Sequence, residues 1–205
     1  MIPDIKAVCF DFGGVIELYE YGKILPKIAE LLNVPLADFR AEYFKHNHLT
    51  NIGNQNWEEI IIKAVKTFSD NTETESAVRA LIHKWSTSKK LNTELLSWFT
   101  VLKQQGFKVG ILSNNTSKLR QEIEAQGIHN LTDVIVISSE IGFQKPHKEA
   151  FLHLFEKLNV LPQETIFIDD ASKSLEKAAE IGYHPILFQD NEQLKKDLQN
   201  FGILL

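Results

Sequence analysis

Val8-Cys9-Phe10-Asp11-Phe12-Gly13-Gly14-Val15-Ile16 is the stretch on which the reading of this chain turns. An apolar run stops on a carboxylate, two glycines follow, and the chain turns apolar again. A buried strand that delivers an acid to the end of a sheet has this form. Glycine then frees the backbone to leave without a Cβ clash, or to come close to a ligand. An Asp before Gly-Gly also makes an ordinary turn. What lies downstream decides between the two.

Residues 5–10 read as a first buried strand. From Tyr21 to Phe99 the apolar spacing becomes helical, with stripes at Ile24, Ile28, Leu31 and Leu32, then Phe39, Tyr43 and Phe44 after Pro35. Residues 47–56 read as a loop. Trp57, Ile60, Ile61, Ala64, Val65 and Phe68 follow, then Val78, Leu81, Ile82 and Trp85. Asn92 or Thr93 is placed to cap a helix that Gly106 stops. Beyond it the rhythm alternates: strands at 107–112, 134–137, 165–168 and 185–188, with helices at 117–126, from Pro146 to 158, from Asp170 to 181 and at 192–201. Such alternation predicts an α/β fold, a Rossmann-like three-layer core around a parallel five-stranded sheet. The helical stretch does not fit it and reads as an insertion. The expected division is a core of residues 1–18 and 90–205 and an all-helical cap of 19–89, hinged near 17–20 and 87–92.

A chain of 205 residues with 43% apolar content, three Trp and thirteen Phe can bury a sizeable core in one domain with an insertion. Its net charge of -5 argues against general binding to nucleic acid or an anionic membrane. With Cys9 alone there is no intramolecular disulfide, and Cys9 reads as a small core residue. No basic-then-apolar leader and no apolar run of about 18 residues is found. A soluble cytoplasmic protein is expected.

Ligands of open α/β sheets bind beyond the carboxyl ends of the strands. The predicted strands end there in Asp11, in Ser113-Asn114 and in Asp169-Asp170, and Lys145 lies in the loop after the third. Each has a plain alternative: Ser113 or Thr116 as a helix cap, Lys145 as a solvated loop lysine, Asp169-Asp170 as a turn. Their common position at strand ends favours a shared site.

Phe10-Asp11-Phe12-Gly13-Gly14-Val15-Ile16, Leu112-Ser113-Asn114, Lys145-Pro146 and Ile168-Asp169-Asp170 resemble, in order, the four motifs of the haloacid-dehalogenase-like hydrolases. Within that superfamily the chain looks most like the branch of glucose-1-phosphate phosphatase and the N-terminal phosphatase domain of soluble epoxide hydrolases. The resemblance implies a Mg²⁺-dependent phosphatase of a small, sugar-phosphate-like metabolite. Asp11 would be the nucleophile, and Ser113, Asn114 and Lys145 would bind the phosphoryl group. Lys145 would also neutralise Asp11. Asp11, the Gly13 backbone carbonyl, Asp170 and Asp169 would hold the metal. Alternatives are a weakly active or inactive relative that binds a phospho-ligand or a protein, and dehalogenase-type displacement at carbon.

Three positions depart from the family pattern. Gly13 stands where phosphatases carry a second Asp as general acid and base, a group worth about 10²–10⁴ in rate. On this reading Gly13→Asp is expected to raise turnover. Ser174 stands where relatives show Asn or Asp, and His147 replaces a frequent Asp and is expected to bear on helix capping alone. In the insertion, His46 and His48 would not share a helix face as metal ligands. Tyr19, Tyr21, Phe44, Trp57 and Trp85 are candidates for the cap's face over the site. Lys89-Lys90 reads as a solvated hinge flank.

Overall fold

The structure, a computed structural model, describes residues 3–20 and 22–205, so Tyr21 lies outside the described residues. The chain begins with β1 (Ala7–Phe10) and β2 (Glu17–Tyr19). Then come α1 (Ile24–Leu31), α2 (Leu36–His46), α3 (His48–Asn51), α4 (Trp57–Val65) and α5 (Thr72–Ser86). It continues through β3 (Lys89–Leu91), α6 (Thr93–Gln104), β4 (Lys108–Ser113), α7 (Lys118–Ala125), β5 (Val134–Ile137) and α8 (Ser138–Ile141). The last part is α9 (Lys148–Leu158), β6 (Thr165–Asp169), α10 (Ser172–Leu175), α11 (Ala178–Ile181), β7 (His184–Leu187) and α12 (Asn191–Asn200).

Five strands make one parallel sheet in the order β5-β4-β1-β6-β7. Because side chains alternate along a strand, each strand feeds two cores. Val8, Phe10, Ile166 and Ile168 pack with Leu95 and Phe99 of α6, Ile123 of α7 and Leu198 of α12. Ala7, Cys9 and Phe167 pack on the other side with Phe151, Leu154 and Phe155 of α9. Helices therefore cover both faces, which is why the strands are continuously apolar. Each large side chain buried in this way contributes about 1.5–3 kcal/mol.

Register places the chemistry. Phe10 pairs with Ile111 on one side and Ile168 on the other, so Asp11 leaves the sheet at the level where β4 and β6 also end. The Asp11 amide donates to the Ile168 carbonyl at 2.8 Å, fixing the residue after the strand as firmly as the strand itself.

The insertion has an apolar core of its own, with Ile28, Phe39, Ile61, Val65, Val78 and Ile82 at its centre. Asn56 and Asn71 cap α4 and α5, each accepting from the amide two residues on. The expected hinges prove more ordered than loops. Glu17–Tyr19 pairs antiparallel with Lys89–Leu91, and the Asn92 amide donates to Ile16 O at 2.8 Å. Asn92 caps α6 and also donates to Val15 O, tying the returning chain to the departing one.

Other differences are local. The expected loop of 47–56 contains α3, and α8 precedes Lys145. The helix expected to run to 181 is broken at Lys177, whose φ of -99° and ψ of 9° leave the helical region. Among the described residues no helix is long and apolar enough to cross a membrane.

Candidate active site

At the carboxyl edge of the sheet Lys145 is almost fully buried, 3% exposed. Its Nζ lies 2.9 Å from Asp11 Oδ1 and 2.6 Å from Asp169 Oδ2. The other Asp169 oxygen accepts from the Ala171 amide at 2.8 Å, and Asp11 Oδ1 accepts from the Phe12 amide at 2.7 Å. A buried lysine is tolerable only when paired in this manner. Burial pulls the Lys145 ammonium down, but Asp11 and Asp169 more than offset it, and it stands above the ordinary lysine value. For Asp11 burial is the largest influence. It pushes the carboxyl up to about 7, with Asp169 and Asp170 acting the same way and Lys145 opposing.

Asp170 completes the group. Carboxylate oxygens of Asp11, Asp169 and Asp170 all lie within 4.8 Å of one another. Its Oδ2 meets Lys23 Nζ of the insertion at 2.8 Å, a contact without a sequence signal because Lys23 lies far along the chain in an aperiodic stretch. Gly14 makes the approach of Asp170 possible. A Cβ there would fall 2.5 Å from the Asp170 carboxylate, and its φ of +84° disfavours other residues as well.

Ser113 is buried at the end of β4. Asn114 has a structural part as well: its Oδ1 accepts from the Lys145 amide at 2.8 Å and its Nδ2 donates one hydrogen to the Lys145 carbonyl at 3.0 Å. The side chain thus holds the lysine loop, while the residue also lines the cavity beside these groups. His147 is the residue before α9, yet its side chain makes no cap bond. Lys89 is no solvated flank, since its Nζ pairs with Glu17 at 2.8 Å and lies 5.2 Å from the Trp85 ring centre.

Beside these groups lies a cavity of about 440 Å³, walled from the core by Phe12, Gly13, Asn114 and Asp170. The insertion roofs it with Tyr19, Tyr43, Phe44, Trp57 and Trp85. Tyr19 lies tilted against Trp85 with ring centres 4.7 Å apart, and Trp57 lies 5.4 Å from Trp85. Burial, then Glu17, Asp11 and Asp170, pushes the Tyr19 phenol above its ordinary value. Polar groups share the roof. Among the described residues Thr50 Oγ1 is buried without a hydrogen-bond partner, and Asn47 and Asn51 line the same cavity. Neither Lys23 nor these polar positions could be read from periodicity.

A parallel sheet in this order, with an acid after its central strand and a buried lysine between two carboxylates, defines a Rossmann-like α/β core with a charged site at the carboxyl edge of the sheet. The sequence profile of the haloacid dehalogenase-like hydrolases matches residues 9–188, and the chain belongs to that family. It is 22% identical over 213 residues to the bifunctional epoxide hydrolase 2 of Rattus norvegicus, covering 95% of this chain and 38% of that protein. The chain thus spans well under half the length of that relative. It is also similar to D-ribitol-5-phosphate phosphatase of Bacteroides thetaiotaomicron, 25% identical over 205 residues and covering 95% and 97% of the two chains. A crystal structure of a family enzyme from Bacteroides thetaiotaomicron, in complex with magnesium and inorganic phosphate, superposes with a TM-score of 0.60 at 18% identity, covering 93% and 98%.

Proposed function

We propose that this hydrolase is a Mg²⁺-dependent phosphomonoesterase for a small phosphorylated metabolite of sugar-phosphate type. The observation that carries the reading is Lys145, buried between Asp11 and Asp169 with Asp170 at the cavity wall. A carboxylate must be ionised and aimed to attack phosphorus; the fixed ammonium at 2.9 Å aims it and opposes the burial that favours its protonated form. The relative named for D-ribitol-5-phosphate, and the neighbour solved with magnesium and phosphate, support the substrate class and the ion.

The donors fit Mg²⁺. Three carboxylates converge, all offering the hard oxygen that ion takes. Asp11, Asp170 and the Gly13 carbonyl would hold it, with Asp169 as a further ligand or as the partner that keeps Lys145 in place. When bound, the ion supplies positive charge between a phosphate dianion and the carboxylates. The chain's own residues do the rest. Asp11 attacks phosphorus to give an aspartyl-phosphate that water hydrolyses. Ser113 Oγ donates to a phosphoryl oxygen, Lys145 balances the charge, and Asn114 keeps Lys145 in register. Residues 19–89 act as a cap over the core of 1–18 and 90–205, excluding water beneath the aromatic roof.

Release of inorganic phosphate from a panel of sugar phosphates is the test. Turnover is expected with Mg²⁺, lost on chelation and lost in Asp11→Asn. Equal release by the parent and Asp11→Asn would remove the nucleophile from the mechanism, and no release at all would favour the ligand-binding relative instead.

A further inference from the structure

The residue missing from the site has left a space, and another residue's polar atom lies in it. A Cβ built on Gly13 would stand 2.5 Å from Tyr19 Oη and 3.7 Å from Tyr19 Cζ. The direction in which a longer side chain at position 13 would leave the backbone is already taken by a phenol hydroxyl. We propose that Tyr19 Oη is the hydrogen-bond donor to the leaving-group oxygen of the ester, in place of a carboxylic acid at position 13. The proposal rests on the phosphatase reading above and deepens it.

Several observations make Tyr19 a built part of the site. Phe12 O accepts from the Ile16 and Glu17 amides, and Gly14 N donates to Glu17 O at 2.7 Å. This closed turn returns β2 alongside Gly13, with which Glu17 forms a bridge. The Tyr19 backbone is fixed by pairing with Lys89. Its ring lies against Trp85, and the Trp85 indole is itself anchored by a 2.9 Å hydrogen bond to Gly22 O. Tyr19 and Gly13 line the same cavity. The ring is thus held from behind, and its hydroxyl stands at Gly13, two residues after Asp11.

The chemistry asks little of it. As the bond from Asp11 oxygen to phosphorus forms, the bond from phosphorus to the ester oxygen breaks and its electron pair stays on that oxygen. Tyr19 O–H donates to the oxygen as the charge grows. The departing alkoxide takes its proton from water, and a second water opens the aspartyl-phosphate, releasing a proton to solvent. Net, one water is consumed per ester. Tyr19 keeps its proton throughout.

A donor to the leaving group matters in proportion to how poor that group is, which gives a readout that a purely structural tyrosine would not move. Parent, Tyr19→Phe, Gly13→Asp and the double variant are assayed with Mg²⁺ on glycerol phosphate, an alkyl ester, and on nitrophenyl phosphate, whose leaving group is stable unaided. Circular dichroism and Tm confirm folding. Tyr19→Phe keeps the ring on Trp85 and is expected to lower kcat on the alkyl ester by about 10²-fold, and on the aryl ester by a much smaller factor. Gly13→Asp alone is expected to lower both, contrary to the gain expected from sequence, because its Cβ meets the hydroxyl. Removing that hydroxyl leaves 3.7 Å to the ring, so the double variant should regain alkyl-ester turnover over Tyr19→Phe. Equal losses on the two esters, no loss, or a double variant no better than Tyr19→Phe would each overturn the assignment while leaving the phosphatase reading intact. Turnover of neither ester by the parent would overturn both.

Discussion

Among the described residues, two places gather several carboxylates round a shared cation, and they differ in almost everything else. Lys145 is buried between Asp11 and Asp169, with Asp170 close by. Arg79, on α5 in the insertion, reaches Glu58, Glu59 and Glu75, each at 2.8 Å, on the solvent side of the helices. By count of contacts the exposed cluster is the richer. Physically it is the weaker, because water and salt screen its charges and long side chains lose entropy in holding one geometry. The buried cluster sits where every charge must be compensated, and it carries more acid than base. A stability argument does not explain such a grouping, since a dry excess of carboxylate is costly. It accords with the proposed role of these carboxylates in holding a ligand that brings positive charge.

The comparison breaks most visibly at Lys145. Lys145→Met leaves two carboxylates without a cation in a dry site, a change that costs about 3–5 kcal/mol. Urea denaturation should show the midpoint fall by a corresponding amount, and a variant as stable as the parent would mean the site is wetter than its burial suggests. The next effect concerns pH in the absence of metal. The folded pKa of Asp11, about 7, lies above the ordinary carboxylate value, so the folded protein holds that proton more tightly than the unfolded chain. Stability from this group is therefore complete at acid pH below the ordinary value and is lost as pH rises toward 7. Metal-free Tm should decline across that window, and Asp11→Asn should flatten the decline and be the more stable protein at neutral pH. Mg²⁺ should reverse the loss in the parent. An identical slope in both proteins would place the unfavourable charge elsewhere. The smallest effect is at the exposed cluster. Arg79→Met should move Tm by under about 4 °C, less still at high salt, with phosphate release unchanged.

What the sequence made legible follows from the same contrast. Asp11, Lys145 and Asp169-Asp170 are readable because a parallel sheet converts local patterns, an apolar run and the residue that ends it, into a common position in space. Phe10 opposite Ile168 is enough to bring Asp11 and Asp169 together. The ribbon of Glu17–Tyr19 with Lys89–Leu91 is not readable in this way. Three residues on each side cannot establish a period, and their partners are some seventy positions apart. Asn114 was legible as a polar residue at a strand end but not as a clamp, since its bonds to the Lys145 backbone depend on how the intervening loop returns. The contact of Lys23 with Asp170, and the hydroxyl of Tyr19 in the space beside Gly13, depend on how the insertion settles on the core. Spacing along one chain does not encode that approach.

The ribbon has a consequence for how this chain can vary. Ile16 and Asn92 are joined by one hydrogen bond, and Glu17 faces Leu91, so everything between them leaves the core and re-enters it at a single point. A stretch tethered in that manner is expected to tolerate a change of length in its outer loops with little effect on the pairing of the sheet. The core thereby works as a socket: the outer part of the stretch is free to vary, while Asp11 and Lys145 are placed by the sheet and its loops.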